Sequence, residues 1–122
     1  MEIGLTFTSK ITVSEEHLAI NIGSGDLPVL GTPAMLALME NAAMKAVAPY
    51  LPNGSTTVGS RICSSHIKPT ALGKEVTATA VLTACENRKL VFKVTASDEG
   101  GLIGEGEHIR YIVDKEKFLS KL

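Results

Sequence analysis

The stretch from Leu30 to Tyr50, LGTPAMLALMENAAMKAVAPY, constrains the fold of this chain more than any other. From Ala34 to Ala48 nearly every side chain is apolar and a good helix former, so no broad polar stripe is left to face water. The segment is expected to be a helix wrapped by protein on most sides. Thr32 can cap its free N–H groups, Pro33 suits the first helical position because its missing donor would be unpaired there, and Pro49 and Pro52 mark the stop. Between these limits only Glu40, Asn41 and Lys45 are strongly polar. Asn41 and Lys45 share one narrow edge, whereas Glu40 shares its face with Leu36, Ala37, Ala43 and Met44, all apolar. A carboxylate in such a setting is costly unless donors meet it, it protonates, or the chain uses it. Glu40 therefore either reaches a rim or a cation, or it is a functional group.

A chain of 122 residues suits one domain, residues 1–122, and is small for a deep catalytic cleft of its own. A site shared between subunits would solve that. The formal charge of −1, with 4% aromatic residues and no Trp, supplies neither a basic tract nor stacking platforms, which argues against nucleic acid as a partner. The N-terminus MEIGLTFTSK lacks a basic region followed by an apolar run, and no apolar segment reaches the roughly 20 residues needed to span a bilayer. A soluble cytoplasmic protein is expected. Cys63 and Cys85 form no C-x-x-C pair and no ligand cluster with the three histidines, so neither a metal nor another cofactor is expected and both thiols are read as reduced core residues. The sharper alternative is a nucleophilic Cys63 three residues before His66, but on an extended strand those side chains point to opposite faces.

Taken in order, Ile3, Leu5 and Phe7, then Ile11 and Val13, then Leu18 and Ile20 alternate with polar or small residues and predict a hairpin or bent strand pair. Asn21 to Leu27, NIGSGDL, reads as a flexible flap, and its two glycines lack the spacing of a dinucleotide fingerprint. After the helix LPNGST is a turn, and Thr56 to Lys68 predicts a long strand ending at Pro69. Val76, Ala78, Ala80 and Leu82 fall on one face of the next strand, and Leu90, Phe92, Val94 and Ala96 on one face of its antiparallel partner. Leu102 to Val113 is the last strand, followed by a charged terminal helix docked by Phe118 and Leu119. The fold class is α+β, an antiparallel sheet curled around one central helix. One helix on one sheet leaves an edge or a flank to cover, so a homodimer is expected.

The residues G-T-P-x-M-x-x-L-M-E from Gly31 to Glu40, V-G-S-R-I-C-S-S-H from Val58 to His66, P-T-x-x-G from Pro69 to Gly73 and G-E-H-I-R from Gly106 to Arg110 resemble the hotdog-fold thioesterases, and among them the fluoroacetyl-CoA thioesterase-like proteins. The resemblance implies a hotdog fold, a dimer with sites at the subunit interface, and hydrolysis of an acyl-CoA thioester. It also implies catalytic roles for Thr32, Glu40 and His66, a backbone N–H of Gly59 for the thioester carbonyl, and Arg110 near the site. Gly23 and Asp26 stand where fluoroacetyl-selective members carry phenylalanines, which implies tolerance of several short acyl groups.

The chemistry agrees with that assignment. Thioester hydrolysis needs a nucleophile or base, a proton manager, and a donor where negative charge develops. Glu40, His66 and Gly59 suit those tasks, with Glu40 either forming a transient anhydride or activating water. Thr32 either orients a carboxylate or substrate, or only caps the helix. On one straight helix it would lie ~12 Å along the axis from Glu40, so it belongs to a folded-back loop or the two meet across a dimer interface. Gly59 is alternatively a bulge residue, Arg110 a surface partner of Glu105 or Glu107, and His66 a hydrogen-bonded strand histidine, the structural reading that His17 and His108 receive. Lys68 and Lys74 are the nearest cations for CoA phosphates. Competing functions are a hotdog hydratase or dehydratase and a non-catalytic acyl-CoA binding or sensing dimer.

Overall fold

The computed structural model describes Met1–Leu122 throughout. Strand β1 (Thr6–Thr12) is followed by a 3₁₀ turn at Glu15–His17 and the short helix α1 (Ala19–Ile22), then by the long helix α2 (Thr32–Val47). Strands β2 (Ser55–Ser64), β3 (Glu75–Glu86), β4 (Lys89–Asp98) and β5 (Gly101–Asp114) follow, and α3 (Lys115–Ser120) closes the chain. All pairings are antiparallel and the sheet order is β1-β3-β4-β5-β2, so the sequence-adjacent meander β3-β4-β5 forms the centre and β1 and β2 are the edges.

The meander follows from two-residue periodicity. Val76, Ala78, Ala80 and Leu82 of β3 and Leu90, Phe92, Val94 and Ala96 of β4 are buried on one face, as the alternation predicts. Helix α2 lies across that face with Met35, Leu38, Met39, Ala42, Ala43, Ala46 and Val47 buried, and the three alanines let its backbone approach the sheet closely. The opposite flank is less covered than its composition implied. Ala37 is exposed and Leu36, Glu40 and Met44 are half-buried, so an apolar flank of α2 faces away from its own sheet.

Four local expectations change. The residues around Leu18 and Ile20 do not pair as a strand. Ser14 initiates a 3₁₀ turn through His17, Ala19–Ile22 is helical, and Gly23 ends it with φ of 91°, so β1 pairs with β3 instead. Strand β2 stops at Ser64, although the chain beyond it stays against β5 through Ser65 N–H to Glu105 O (3.0 Å) and Ile67 N–H to Ile103 O (2.7 Å). Helix α3 is capped by Asp114, which accepts from Lys117 N–H at 3.0 Å, but Phe118 and Leu119 are 38% and 63% exposed and do not dock. Cys63 is exposed on the edge strand β2 and only Cys85 is partly buried, so Cys63 is not a core thiol.

Candidate active site

Two groups of functional side chains emerge. The first is built on the middle of α2 and the inner face of β5. Glu40 leaves the half-covered flank of the helix toward β2 and β5, where its Oε2 lies 3.8 Å from Arg110 Nη1 and 4.0 Å from His108 Nε2. Gly59 makes the approach possible. A Cβ built on it would stand 2.8 Å from Glu40 Oε2, 3.2 Å from His108 Cε1 and 3.3 Å from Arg110 Nη1. The ladder between β2 and β5 shifts register between Gly59 and Arg61, so the bulge reading of this glycine and its place beside the carboxylate hold together.

Arg110 is not a surface residue. It is buried, and Glu105 and Glu107 point the other way. Its Nε donates to Thr57 Oγ1 (2.8 Å), Nη2 to the Thr57 carbonyl (3.0 Å) and Nη1 to His108 Nε2 (3.1 Å). His108 Nδ1 in turn donates to the Arg61 carbonyl at 2.7 Å. Burial lowers the proton affinity of both: His108 is held below the ordinary imidazole range, first by desolvation and further by the Arg110 charge, with the Arg61 bond and Glu40 opposing, and Arg110 is lowered by desolvation against the pull of Glu40.

The second group sits at the start of α2. Gly31, not Thr32, is the residue that caps the helix, and no side-chain cap bond is made. The Thr32 hydroxyl is instead engaged with His66 Nδ1 at 2.7 Å. His66 reaches that position because its segment is tied down on both sides. Ser65 Oγ bonds the backbone O and N of Glu105, each at 3.2 Å, and the Thr70 carbonyl accepts from Leu30 N–H at 2.9 Å. Asp98 anchors the same segment through Thr70 Oγ1 (2.9 Å), Lys68 Nζ (3.3 Å) and Gly100 N–H (2.8 Å). Desolvation holds His66 below the ordinary imidazole range, offset in part by the nearby Lys68 backbone. Its buried Nε2 has no hydrogen-bond partner within the chain. A cavity of about 320 Å³ beside Thr32 and His66 is lined also by Ser24, Leu30 and Lys68. A larger one of about 500 Å³, between β1 and α2, touches neither Glu40 nor His66.

The structure thus joins Thr32 to His66, and Glu40 to Gly59 and Arg110. No hydrogen bond or ion pair joins the two groups. Thr32 begins an unbroken helix, which removes the folded-back loop that would have brought it to Glu40. Cys63 lies on β2 with its side chain exposed and makes no hydrogen bond to His66. Lys68 is paired with Asp98, and Lys74 lines a separate cavity of about 270 Å³. No three His, Cys, Asp or Glu side chains converge as ligands. Thr57 and His108 were not singled out from the sequence as site residues, and both are in contact with Arg110.

The profile of the fluoroacetyl-CoA-specific thioesterases (FlK) matches residues 13–116. The chain belongs to this family. It is 42% identical over 94 residues to the fluoroacetyl-CoA thioesterase of Streptantibioticus cattleyicolor, spanning 77% of this chain and 68% of that relative. It superposes on a solved structure of the fluoroacetyl-CoA thioesterase FlK with a TM-score of 0.92 at 35% identity, over 99% of this chain and 94% of that one. A thioesterase superfamily member from Thermus thermophilus gives 0.91 at 27% identity, over 98% and 89%. FlK variants have been solved with acetyl-CoA and with fluoroacetate and CoA. The hotdog architecture and the assignment to the thioester hydrolases rest on these likenesses and on the curled five-stranded sheet around α2.

Proposed function

We propose that this family member hydrolyses short-chain acyl-CoA thioesters to the free acid and CoA, with Glu40 as nucleophile or general base and His66 managing protons. The observation that carries the reading is the placement of Glu40. A carboxylate on an otherwise apolar helix is met by the Cβ-free face of Gly59 and a buried guanidinium, a setting that leaves room for a small reacting group beside it. Its side chain is 42% exposed, so it remains reachable. Arg110 and the backbone N–H of Gly59 are suited to the thioester carbonyl, where negative charge develops. The Thr32 hydroxyl holds His66 Nδ1 at the start of the helix, and the pair is suited to move a proton to or from the reacting atoms.

The active unit in this reading is a homodimer with the sites at its interface. Helix α2 holds Thr32 and Glu40 two turns apart, β2 offers an unpaired sheet edge, and Leu36, Ala37 and Met44 leave an apolar flank to cover. A twofold pairing over that flank would set Glu40 of one subunit against the Thr32–His66 pair of the other. Gly23 and Asp26, both exposed in the segment before α2, supply no aromatic gate, and the acyl preference follows as broad among short chains.

The test is thiol release from a panel of acyl-CoAs by the purified protein, beside Glu40→Ala and His66→Ala variants with intact folding. Release that collapses in both supports the assignment. Binding without release from any thioester would replace it with a sensing role. Label found in the Glu40 carboxylate after a single turnover in heavy-oxygen water would assign it the nucleophile's role, because water oxygen enters there only by attack on the Glu40 carbonyl of an anhydride.

A further inference from the structure

We propose that His108 is a positioning residue of this site, which fixes the Arg110 guanidinium as a neutral acceptor so that Arg110, and not the imidazole, addresses Glu40 and the substrate carbonyl. The inference rests on the thioesterase reading for its kinetic consequence and on geometry for its cause. Every polar hydrogen position of a guanidinium is a donor, so the 3.1 Å contact between Arg110 Nη1 and His108 Nε2 makes Nε2 the acceptor. The ring proton is then on Nδ1, where the Arg61 carbonyl accepts it at 2.7 Å. Arg61 stands at the bulge of β2, and its carbonyl thus sets the tautomer. With Nε and Nη2 held by Thr57, the guanidinium cannot rotate, and the second N–H of Nη1 is left for the chamber that Glu40 and Gly59 border.

The surroundings of the ring favour this neutral acceptor. His108 is 1% exposed and lies against Phe92 of β4, with ring centroids 6.2 Å apart. The charged groups facing it are Glu40 from α2 and Arg110 on its own strand; β2 presents the Arg61 carbonyl and β4 presents Phe92. A doubly protonated ring could not accept from Arg110. It would turn Nε2–H toward Glu40, 4.0 Å away, and compete for the carboxylate. The buried position holds the imidazole below its ordinary range and opposes that state.

The experiment combines kinetics with the state of the ring. His108→Phe keeps a planar ring against Phe92 and removes the acceptor, whereas His108→Gln returns a neutral acceptor near the reach of Nε2. With the acyl-CoA that the wild type hydrolyses, His108→Phe is expected to lower kcat/KM by about 10²-fold, the effect of misplacing a reacting group by about an ångström. His108→Gln should recover at least about tenfold of that. In an Arg110→Ala background His108→Phe should add less than about threefold, because the two act as a unit. Nitrogen NMR of the wild-type imidazoles should show His108 with Nδ1 protonated and Nε2 bare, and Arg110→Ala should move the Nε2 resonance. A silent His108→Phe, equal losses in both backgrounds, or a protonated Nε2 would each overturn the proposal. If the wild type releases no thiol from any thioester, the thioesterase reading fails by itself, and the NMR result still decides whether His108 holds Arg110.

Discussion

Replacing Gly59 by Ala presses hardest on Glu40, with smaller crowding of His108 Cε1 at 3.2 Å and Arg110 Nη1 at 3.3 Å. Gly59 has no left-handed φ, so the backbone accepts Ala, and the backbone N–H is kept. The new Cβ would stand 2.8 Å from Glu40 Oε2, and ordinary contact begins at 3.4 Å, so the carboxylate must retreat by about 0.6 Å. Glu40 is a flexible, half-exposed side chain, and its retreat costs little stability. In the proposed reaction it would have no such slack, because catalytic groups must be held to within about 0.5 Å of the productive geometry and an ångström costs about a hundredfold. The expected result is kcat/KM lower by roughly 10- to 100-fold, or about 1.4–2.7 kcal/mol of transition-state stabilisation, with melting nearly unchanged. Gly106→Ala is the counterpart. There the Cβ would fall on the Cys63 backbone, which cannot step aside, so stability collapses. Thiol release and thermal melting measure both. A folded Gly59→Ala protein within threefold of wild-type kcat/KM would refute the assignment of the reacting carboxylate to this position.

Mixing the inactive Glu40→Ala and His66→Ala proteins under subunit exchange should restore about a quarter of wild-type activity, since half the dimers would then carry one intact shared site. No recovery after verified exchange would place the whole site in one subunit. Thr32→Ser keeps a hydroxyl for His66 Nδ1 and should retain most thiol release, whereas Thr32→Ala should lose roughly tenfold or more, the loss of a hydrogen bond of about 1.5 kcal/mol; equal activities would reduce Thr32 to a helix residue. Stability should fall on acidification below about pH 6.5. His66 and His108 are both held below that ordinary value, so the unfolded chain takes up protons first, and their contribution is complete above 6.5 and lost as pH drops toward the lower folded values. A melting temperature that rises on going from neutral to mildly acid pH would contradict this. Asp98 acts in a lower window. Hydrogen bonds from Thr70, Gly100 and Lys68 outweigh its desolvation and depress its titration, so its contribution persists through the histidine range and disappears only in strong acid.

The central helix and the β3–β4–β5 meander were legible because long runs fix their own period. The Leu18–Ile22 turn was not, since Leu18, Ile20 and Ile22 satisfy a two-residue period over a stretch too short to tell strand from helix. The better signals were Ser14 opening a turn and Gly23 able to close one. For the site, Glu40 and Gly59 declared themselves as exceptions, a carboxylate among apolar residues and a glycine in a strand. Arg110 was placed near the site by the resemblance alone, while its sequence neighbours Glu105 and Glu107 left a surface pairing open. The alternation held the correction: those two glutamates face water, which sends Gly104, Gly106, His108 and Arg110 to the inner face. That face joins two glycines to two buried polar side chains, a pattern that serves no apolar core. What no periodicity could supply was Thr57, whose role depends on the register of β2 against β5.

The split between the two groups has a consequence for how the site is completed. Thr32 and Glu40 are carried by one unbroken helix packed onto the sheet by Met35, Met39, Ala42 and Ala43, so thermal motion of a loop cannot bring them together. The spacing of ~12 Å along the axis is a rigid dimension. A second helix crossing the exposed flank about a twofold axis would bring each carboxylate toward the other subunit's histidine, and would cover Leu36, Ala37 and Met44 in the same step. Under the proposed function, association and catalysis are then one event. Diluting the enzyme below its dimer dissociation constant should remove activity and acyl-CoA binding together, without unfolding the Thr32–His66 or Glu40–Arg110 halves that each chain holds by itself.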